Sequence, residues 1–240
     1  MFGPSGHGKS AFINSVSTIS TDRKSNKTNS ASTTKHATSV FRRYDFEDLF
    51  YTFRIADTKG IVEFERDNKY LVENIVSIVN GHFRPGIEFK GEEFQTNGDF
   101  YIDFPVESDK VHCVILMFNM KIFVNKGALF KLNYRTLVTD LSEELNRLDI
   151  PRIVILTYAD QVDEKVKNDI SCIFYKEEVK KAVYTASEWL GVPVENIHPI
   201  VNYSNTVYAD LNHRLHIPIL LALQSALYYA RDTLHKRNQI

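Results

Sequence analysis

The sequence predicts an α/β fold in three layers, a mostly parallel sheet with helices on both faces. Three observations predict it. Apolar runs and helical stripes alternate through most of the chain. Two of the runs, "VHCVILMF" and "RIVILTYAD", are continuous rather than alternating, as strands buried on both faces must be. A glycine-rich loop at the start leads directly into a helical stripe. With 240 residues and 43% hydrophobic content the chain can bury a core of ordinary size, and one domain spanning residues 1–240 is expected.

Each element follows from local pattern. Phe12, Val16 and Ile19 recur at helical spacing, so a first helix starts at Lys9. The segment "STDRKSNKTNSASTTKHATS" is polar and aperiodic and reads as a loop. "SVFRRYDF" and "FYTFRIAD", separated by "EDL", read as adjacent antiparallel strands. Tyr70, Val72, Ile75, Val76 and Val79 line a second helix that Gly81 stops. From His82 to Asp109 glycine, proline and charges dominate, and a long surface excursion is expected. After the "VHCVILMF" strand, Phe130, Tyr134, Leu137, Leu141, Leu145 and Leu148 define an amphipathic helix ending near Pro151. "RIVILTYAD" is the next strand, Tyr175, Val179, Ala182, Ala186 and Leu190 line the next helix, and Gly191 and Pro193 end it. "NIHPIVNY" gives a short strand, and Leu220, Leu223, Leu227, Ala230 and Leu234 the stripe of a last helix.

Composition narrows the partners. The formal net charge is -1, with 29 basic and 30 acidic residues, so bulk electrostatic capture of nucleic acid or of an anionic membrane is not expected. Any anion must be held locally. Cys113 and Cys172 fit no metal-binding spacing. The start lacks an apolar leader core, and the run "VILMF" is too short to span a bilayer, so no transmembrane segment and a reducing, cytoplasmic location are expected.

In such sheets ligands bind beyond the carboxyl ends of the strands, and the chemical motifs fall there. "GPSGHGKS", Gly3 to Ser10, matches the phosphate-binding pattern G-x-x-x-x-G-K-[ST]. Backbone N–H groups of Ser5, Gly6, His7, Gly8 and Lys9 would surround a β-phosphate, helped by the helix N-terminus. Lys9 would stabilise charge on the β- and γ-phosphates, the catalytic contribution expected of it, and the Ser10 hydroxyl would ligate Mg²⁺. "DTKG" ends a strand, so Asp57 is a candidate Mg²⁺ ligand and the Gly60 N–H a candidate γ-phosphate contact. "TYAD", Thr157 to Asp160, ends another, where a carboxylate can accept from the N1–H and N2–H₂ edge of guanine. The alternative is an aspartate that caps the next turn. Tyr158 stands where a lysine is usual, and its ring could stack on the base. "VNYSNT" ends the last strand, making Tyr203 and Ser204 candidate base contacts. Thr38 is the candidate threonine closing over Mg²⁺ and the γ-phosphate, with Thr33 and Thr34 competing. His213 and His216 in "HRLH" lack a third metal ligand and read as solvent-facing or capping, and Trp189 as core.

Taken together, "GPSGHGKSAFINSV", "ATSVFRRY", "DTKGI", "VHCVILMF", "ILTYAD" and "LGVPVENIHPIVNYSN", in this order and spacing, resemble the GTPase-like domain of the interferon-induced protein 44 family over essentially the whole chain. The resemblance implies a three-layer P-loop NTPase fold, GTP or GDP with Mg²⁺ as cofactors, a cytoplasmic setting, and a role in antiviral and immune responses. It also implies the GTPase-like domain without the TLDc domain that members carry ahead of it. Tyr158, His7 within the phosphate loop, and Asn119, where an acidic residue is more usual, depart from the pattern.

Three functional readings follow. The first is a guanine-nucleotide-binding protein with weak or partner-dependent GTPase activity: no water-orienting residue is identified, because Ile61 stands where many GTPases place a glutamine. The second is a non-catalytic, nucleotide-stabilised scaffold acting through protein partners or homo-oligomerisation. The third, an ATP-using kinase, is disfavoured by Asp160. Met1 and Phe2 supply only the last step of the strand that should precede the loop, so a shortened central strand, and hence a fragment or short isoform, is expected.

Overall fold

In a computed structural model, the structure describes residues 1–240 except 26, 29–39, 48, 50, 59–67, 89–98, 125–131, 204–210 and 240. The elements run α1 (Lys9–Thr21), β1 (Arg42–Phe46), β2 (Phe53–Asp57), α2 (Asn68–Val79), β3 (Val114–Asn119), α3 (Lys121–Val124), α4 (Leu132–Arg147), β4 (Arg152–Thr157), α5 (Glu164–Asn168), α6 (Glu177–Leu190), β5 (Ile197–Pro199) and α7 (His216–Arg237).

Alternate residues of β3 serve different helical layers. Val114, Leu116 and Phe118 belong to a buried cluster with Val72 and Ile75 of α2, Leu141 of α4 and Ala182 of α6. Ile115 and Met117 belong to a second cluster with Phe12 and Val16 of α1 and Ile219 and Leu223 of α7. A strand with helices over both faces must be apolar at every position, which is why these runs do not alternate. The expected three-layer α/β fold is what forms.

The strands β3, β4 and β5 form a parallel sheet in that order, with Leu116 opposite Val154 and Val154 opposite Ile197. β1 and β2 pair antiparallel, Tyr44 opposite Ile55, as the two "Y/F"-rich stretches predict. Among the described residues the two sheets are joined by hydrogen bonds from the chain start: Phe2 makes a parallel bridge to Leu116, and the Met1 α-ammonium donates to the Ala56 carbonyl at 2.7 Å. Phe2 thus lies beside β3 on the edge away from β4, the place expected for the strand that leads into the loop.

Three readings need correction. Residues 82–109 are not only a surface excursion: Phe83 and Ile87 bury themselves with Phe41 and Ile78, and Phe83 bridges Tyr101, because aromatic residues among the glycines find a shared pocket. Tyr175 precedes α6 rather than lining it and is 77% exposed, since the helix begins at Glu177 with acidic residues in its first turn. In α7 the fully buried stripe is Ile219, Ala222, Leu223 and Ala226, while Leu220, Leu227, Ala230 and Leu234 sit at its half-exposed margin. Small alanines let α7 approach the sheet closely. Trp189 is half-buried, with the Arg135 guanidinium 5.7 Å from its ring centre.

Candidate nucleotide-binding site

The glycine loop leaves the Phe2 bridge and wraps over the carboxyl ends of β3 and β4. Its glycines are set by contact. A Cβ on Gly3 would lie 2.0 Å from the Met117 carbonyl oxygen, and one on Gly8 would lie 2.9 Å from the Asn202 amide nitrogen and 3.2 Å from Thr157. Gly8 is also the N-cap of α1, at φ 88, so no side chain occupies the helix N-terminus and its N–H groups are left for an anion.

Three side chains tie the loop to the strand ends. The Thr157 hydroxyl donates to the His7 carbonyl at 3.0 Å and is 3.2 Å from that of Phe118. The Asn202 amide donates to the Gly8 carbonyl at 3.1 Å. The Tyr158 hydroxyl donates to the Gly6 carbonyl at 3.1 Å and so braces the loop from the end of β4. His7 adds a fourth link, its Nδ1 accepting from the Asn119 N–H at 3.1 Å. Burial, reinforced by nearby Lys9, pushes His7 down to about 3, which keeps that nitrogen an acceptor.

Lys9 is buried, and its Nζ donates to the Gly3 and Pro4 carbonyls at 2.8 and 2.9 Å. Desolvation brings it down to about 8, partly offset by Asp57. Ser10 and Asp57, 47 residues apart in sequence, meet: the Ser10 hydroxyl donates to Asp57 Oδ2 at 3.1 Å. The other oxygen, Asp57 Oδ1, is buried without a hydrogen-bond partner among the described residues. Burial raises the Asp57 carboxyl, opposed by the Met1 ammonium and Lys9. A hydroxyl and a buried carboxylate oxygen side by side are hard oxygen donors of the kind Mg²⁺ takes, so these residues fit that ion.

Asp160 shows the same signature. Its Oδ1 is buried and unpartnered among the described residues, and burial raises its carboxyl, opposed first by a hydrogen bond from its own backbone N–H and then by Lys121 and Lys167. It follows Thr157, which is buried, and Tyr158, held at φ 60, a left-handed conformation that turns the chain sharply off β4. Among the described residues the structure therefore brings Gly3, Ser5, Gly6, His7, Gly8, Lys9, Ser10, Asp57, Thr157 and Asp160 to one end of the sheet. Thr38, Gly60, Ile61 and Ser204 lie outside the described residues, as do Thr33 and Thr34.

Tyr203 is engaged within the chain. Its N–H donates to Ser15 Oγ at 2.9 Å, and its buried ring sends the hydroxyl to the Asn212 carbonyl and His216 Nε2 at 2.9 and 2.7 Å. It braces α1 against the start of α7. Sequence reading missed Asn202 and Ser15, which join each other at 3.4 Å beneath Gly8. The only sequence signal for Asn202 is an amide directly after the apolar run "IHPIV".

No protein-family model matches the chain. Among curated proteins it is similar to interferon-induced protein 44 of Homo sapiens, 26% identical over 239 residues, which cover 98% of this chain and 52% of that protein. Interferon-induced protein 44 of Mus musculus is 24% identical over 242 residues, 98% of this chain and 54% of that one. Interferon-induced protein 44-like of Homo sapiens is 24% identical over 239 residues, 98% of this chain and 51% of that one. The chain spans about half the length of the curated relatives it matches. A solved structure described as a probable GTP-binding protein engB aligns with TM-score 0.45 and 16% identity, over 93% of this chain and 97% of that one. The chain is thus similar, over 98% of its length, to members of the interferon-induced protein 44 family.

Proposed function

We propose that this chain binds guanine nucleotides at the loop Gly3–Ser10, with slow or partner-dependent GTP hydrolysis at most. The observation that carries the reading is the pair of buried, unpartnered carboxylate oxygens among the described residues, Asp57 Oδ1 at the end of β2 and Asp160 Oδ1 in the turn that follows β4. Leaving such a group unsatisfied costs about 1–3 kcal/mol. A ligand carrying a cation on one side and an N–H edge on the other would satisfy both. ADP offers no such edge to Asp160, which is the chemical basis for guanine selectivity.

The chain's own groups divide the work. Ser10 and Asp57 would hold Mg²⁺, which when bound offsets phosphate charge. Lys9 would exchange its two loop carbonyls for phosphate oxygens, and the capless N-terminus of α1 would face the phosphates. Thr38, Gly60 and Ser204 complete the proposed contacts. The setting proposed with this reading, from the family likeness, is cytoplasmic and interferon-responsive, in antiviral or immune defence.

The test is a titration with fluorescent GDP and ADP in Mg²⁺, on the chain and on Asp160→Asn. GDP selectivity that the substitution weakens by at least about tenfold, since hydrogen bonds to a charged acceptor are worth about 1.5–3 kcal/mol each, is the expected result. Equal binding of both nucleotides, or of neither, would refute it. A second reading, a non-catalytic nucleotide-stabilised scaffold, is favoured by Ile61 directly after Gly60. Phosphate release no faster than in Lys9→Ala selects the scaffold; rapid multiple turnover removes it.

A further inference from the structure

A cavity of about 510 Å³ lies at the amino ends of β4 and β5, the end of the sheet opposite the glycine loop. Three segments meet there: Ile150 to Arg152 leading into β4, Val192 to Asn196 leading into β5, and Tyr229 to Lys236 of α7. Its volume is within the roughly 300–1,000 Å³ that small-molecule sites occupy.

Arg152 is the unusual group in its wall. The side chain is half-buried, and its Nε is buried with no hydrogen-bond partner among the described residues. Nη1 donates to Asn146 Oδ1 at 2.7 Å, the oxygen of a neutral amide. The carbonyls that end α4 are taken by the chain itself: that of Leu145 accepts from the Ile150 N–H, and that of Asn146 from the Asp149 N–H. Burial lowers the guanidinium from its ordinary value, and no acid among the described residues offsets it. Arginine is seldom buried unless paired, because a desolvated charge without a partner is costly. The unpaired side is the Nε–Nη2 edge, where two parallel N–H bonds can take both oxygens of a planar oxyanion.

The rest of the lining shapes what that oxyanion belongs to. Pro151, Val192, Pro193 and the Tyr229 ring supply apolar wall. The Tyr229 hydroxyl donates to Asn196 Oδ1 at 2.7 Å, which leaves the Asn196 N–H₂ as a second donor. At the mouth, Lys236 pairs with Asp149 at 3.2 Å and Arg231 with Asp232 at 3.6 Å, all of them exposed. Arg152 is therefore the one uncompensated charge in the lining among the described residues, and it matches a ligand that carries a single negative charge.

We propose that this cavity binds a small organic acid, with its one carboxylate on the Nε–Nη2 edge of Arg152 and a short apolar body against Tyr229, Val192 and the two prolines. The guanidinium edge supplies orientation and charge, and the apolar wall selects the body. The proposal does not depend on the nucleotide reading.

The probe is 4-phenylbutyrate, titrated into the whole ¹⁵N-labelled chain and followed by NMR. The Arg152 Nε–H resonance, assigned by its loss in Arg152→Lys, should move saturably as the bond to the carboxylate forms. The uncharged amide of the same acid should bind about tenfold more weakly or worse. Phenylbutyl phosphate, a dianion above neutral pH, should bind no more tightly than the acid. Arg152→Lys keeps a charge but lacks the fork, and should weaken the acid about tenfold with the backbone amide spectrum preserved. Asn146→Asp sets a carboxylate on Nη1 in place of the amide and so neutralises Arg152 from within. It should lose the acid, also with its amide spectrum preserved, and it guards against a misfolded Arg152→Lys. The absence of a saturable shift, equal binding of the amide, or binding that survives either substitution would overturn the proposal. Tighter binding of the phosphate ester would also overturn it, by giving the edge to a different oxyanion.

Discussion

The Tyr158 hydroxyl donates to the Gly6 carbonyl at 3.1 Å, joining the strand end beside Asp160 to the phosphate loop. One side chain thereby couples the proposed base and phosphate subsites, the task that the missing lysine would serve.

Tyr158→Phe keeps the ring and removes only this link. The bond is near the surface and worth about 1 kcal/mol, so fluorescent GDP should bind about fivefold more weakly with thermal stability almost unchanged. If affinity stays the same, the tyrosine does not brace the loop.

Two glycines of the same loop should differ. In Gly3→Ala the new methyl meets the Met117 carbonyl oxygen, a backbone atom that cannot step aside, so the loop must leave the Phe2–Leu116 bridge. Gly6, at φ 77, has no atom within 4 Å of the place a Cβ would take, which leaves only left-handed strain of about 1–2 kcal/mol. Thermal melts should show Gly3→Ala as clearly the more damaging; the reverse order would contradict the loop's seating on β3.

Acid should loosen the fold through two histidines. Burial holds His7 at about 3 and His198 at about 4, below their ordinary 6.5. Between 6.5 and those values the unfolded chain binds protons that the fold does not, so stability is intact above pH 6.5 and declines as pH falls toward 4 and 3. Melting temperatures of the chain and of His7→Asn, which keeps an acceptor for the Asn119 N–H, should diverge across that window, the variant declining less. Parallel profiles would show that His7 is not held neutral.

Chelation tests the Ser10–Asp57 pair. Mg²⁺ should strengthen GTP binding to the chain, and EDTA should remove the gain. Asp57→Asn, lacking the charge beside Ser10 Oγ, should show little response to either. An undiminished Mg²⁺ effect in that variant would place the ion elsewhere.

The strand and helix alternation, the doubly buried β3 and β4, the start of α1 at Lys9 and the motif at each strand end were all legible from spacing, because burial and phosphate chemistry each demand particular residues at particular intervals. Sequence also singled out Asp57 and Asp160, since an acid ending an apolar strand is chemically conspicuous. What it did not show is how distant groups meet. Nothing local says that Ser10 will touch Asp57, that Asn202 will lie beneath Gly8, or that the Tyr203 N–H will be taken by Ser15. Those are products of chain crossing, as is the burial of Phe83 and Ile87 within a stretch whose composition reads as loop.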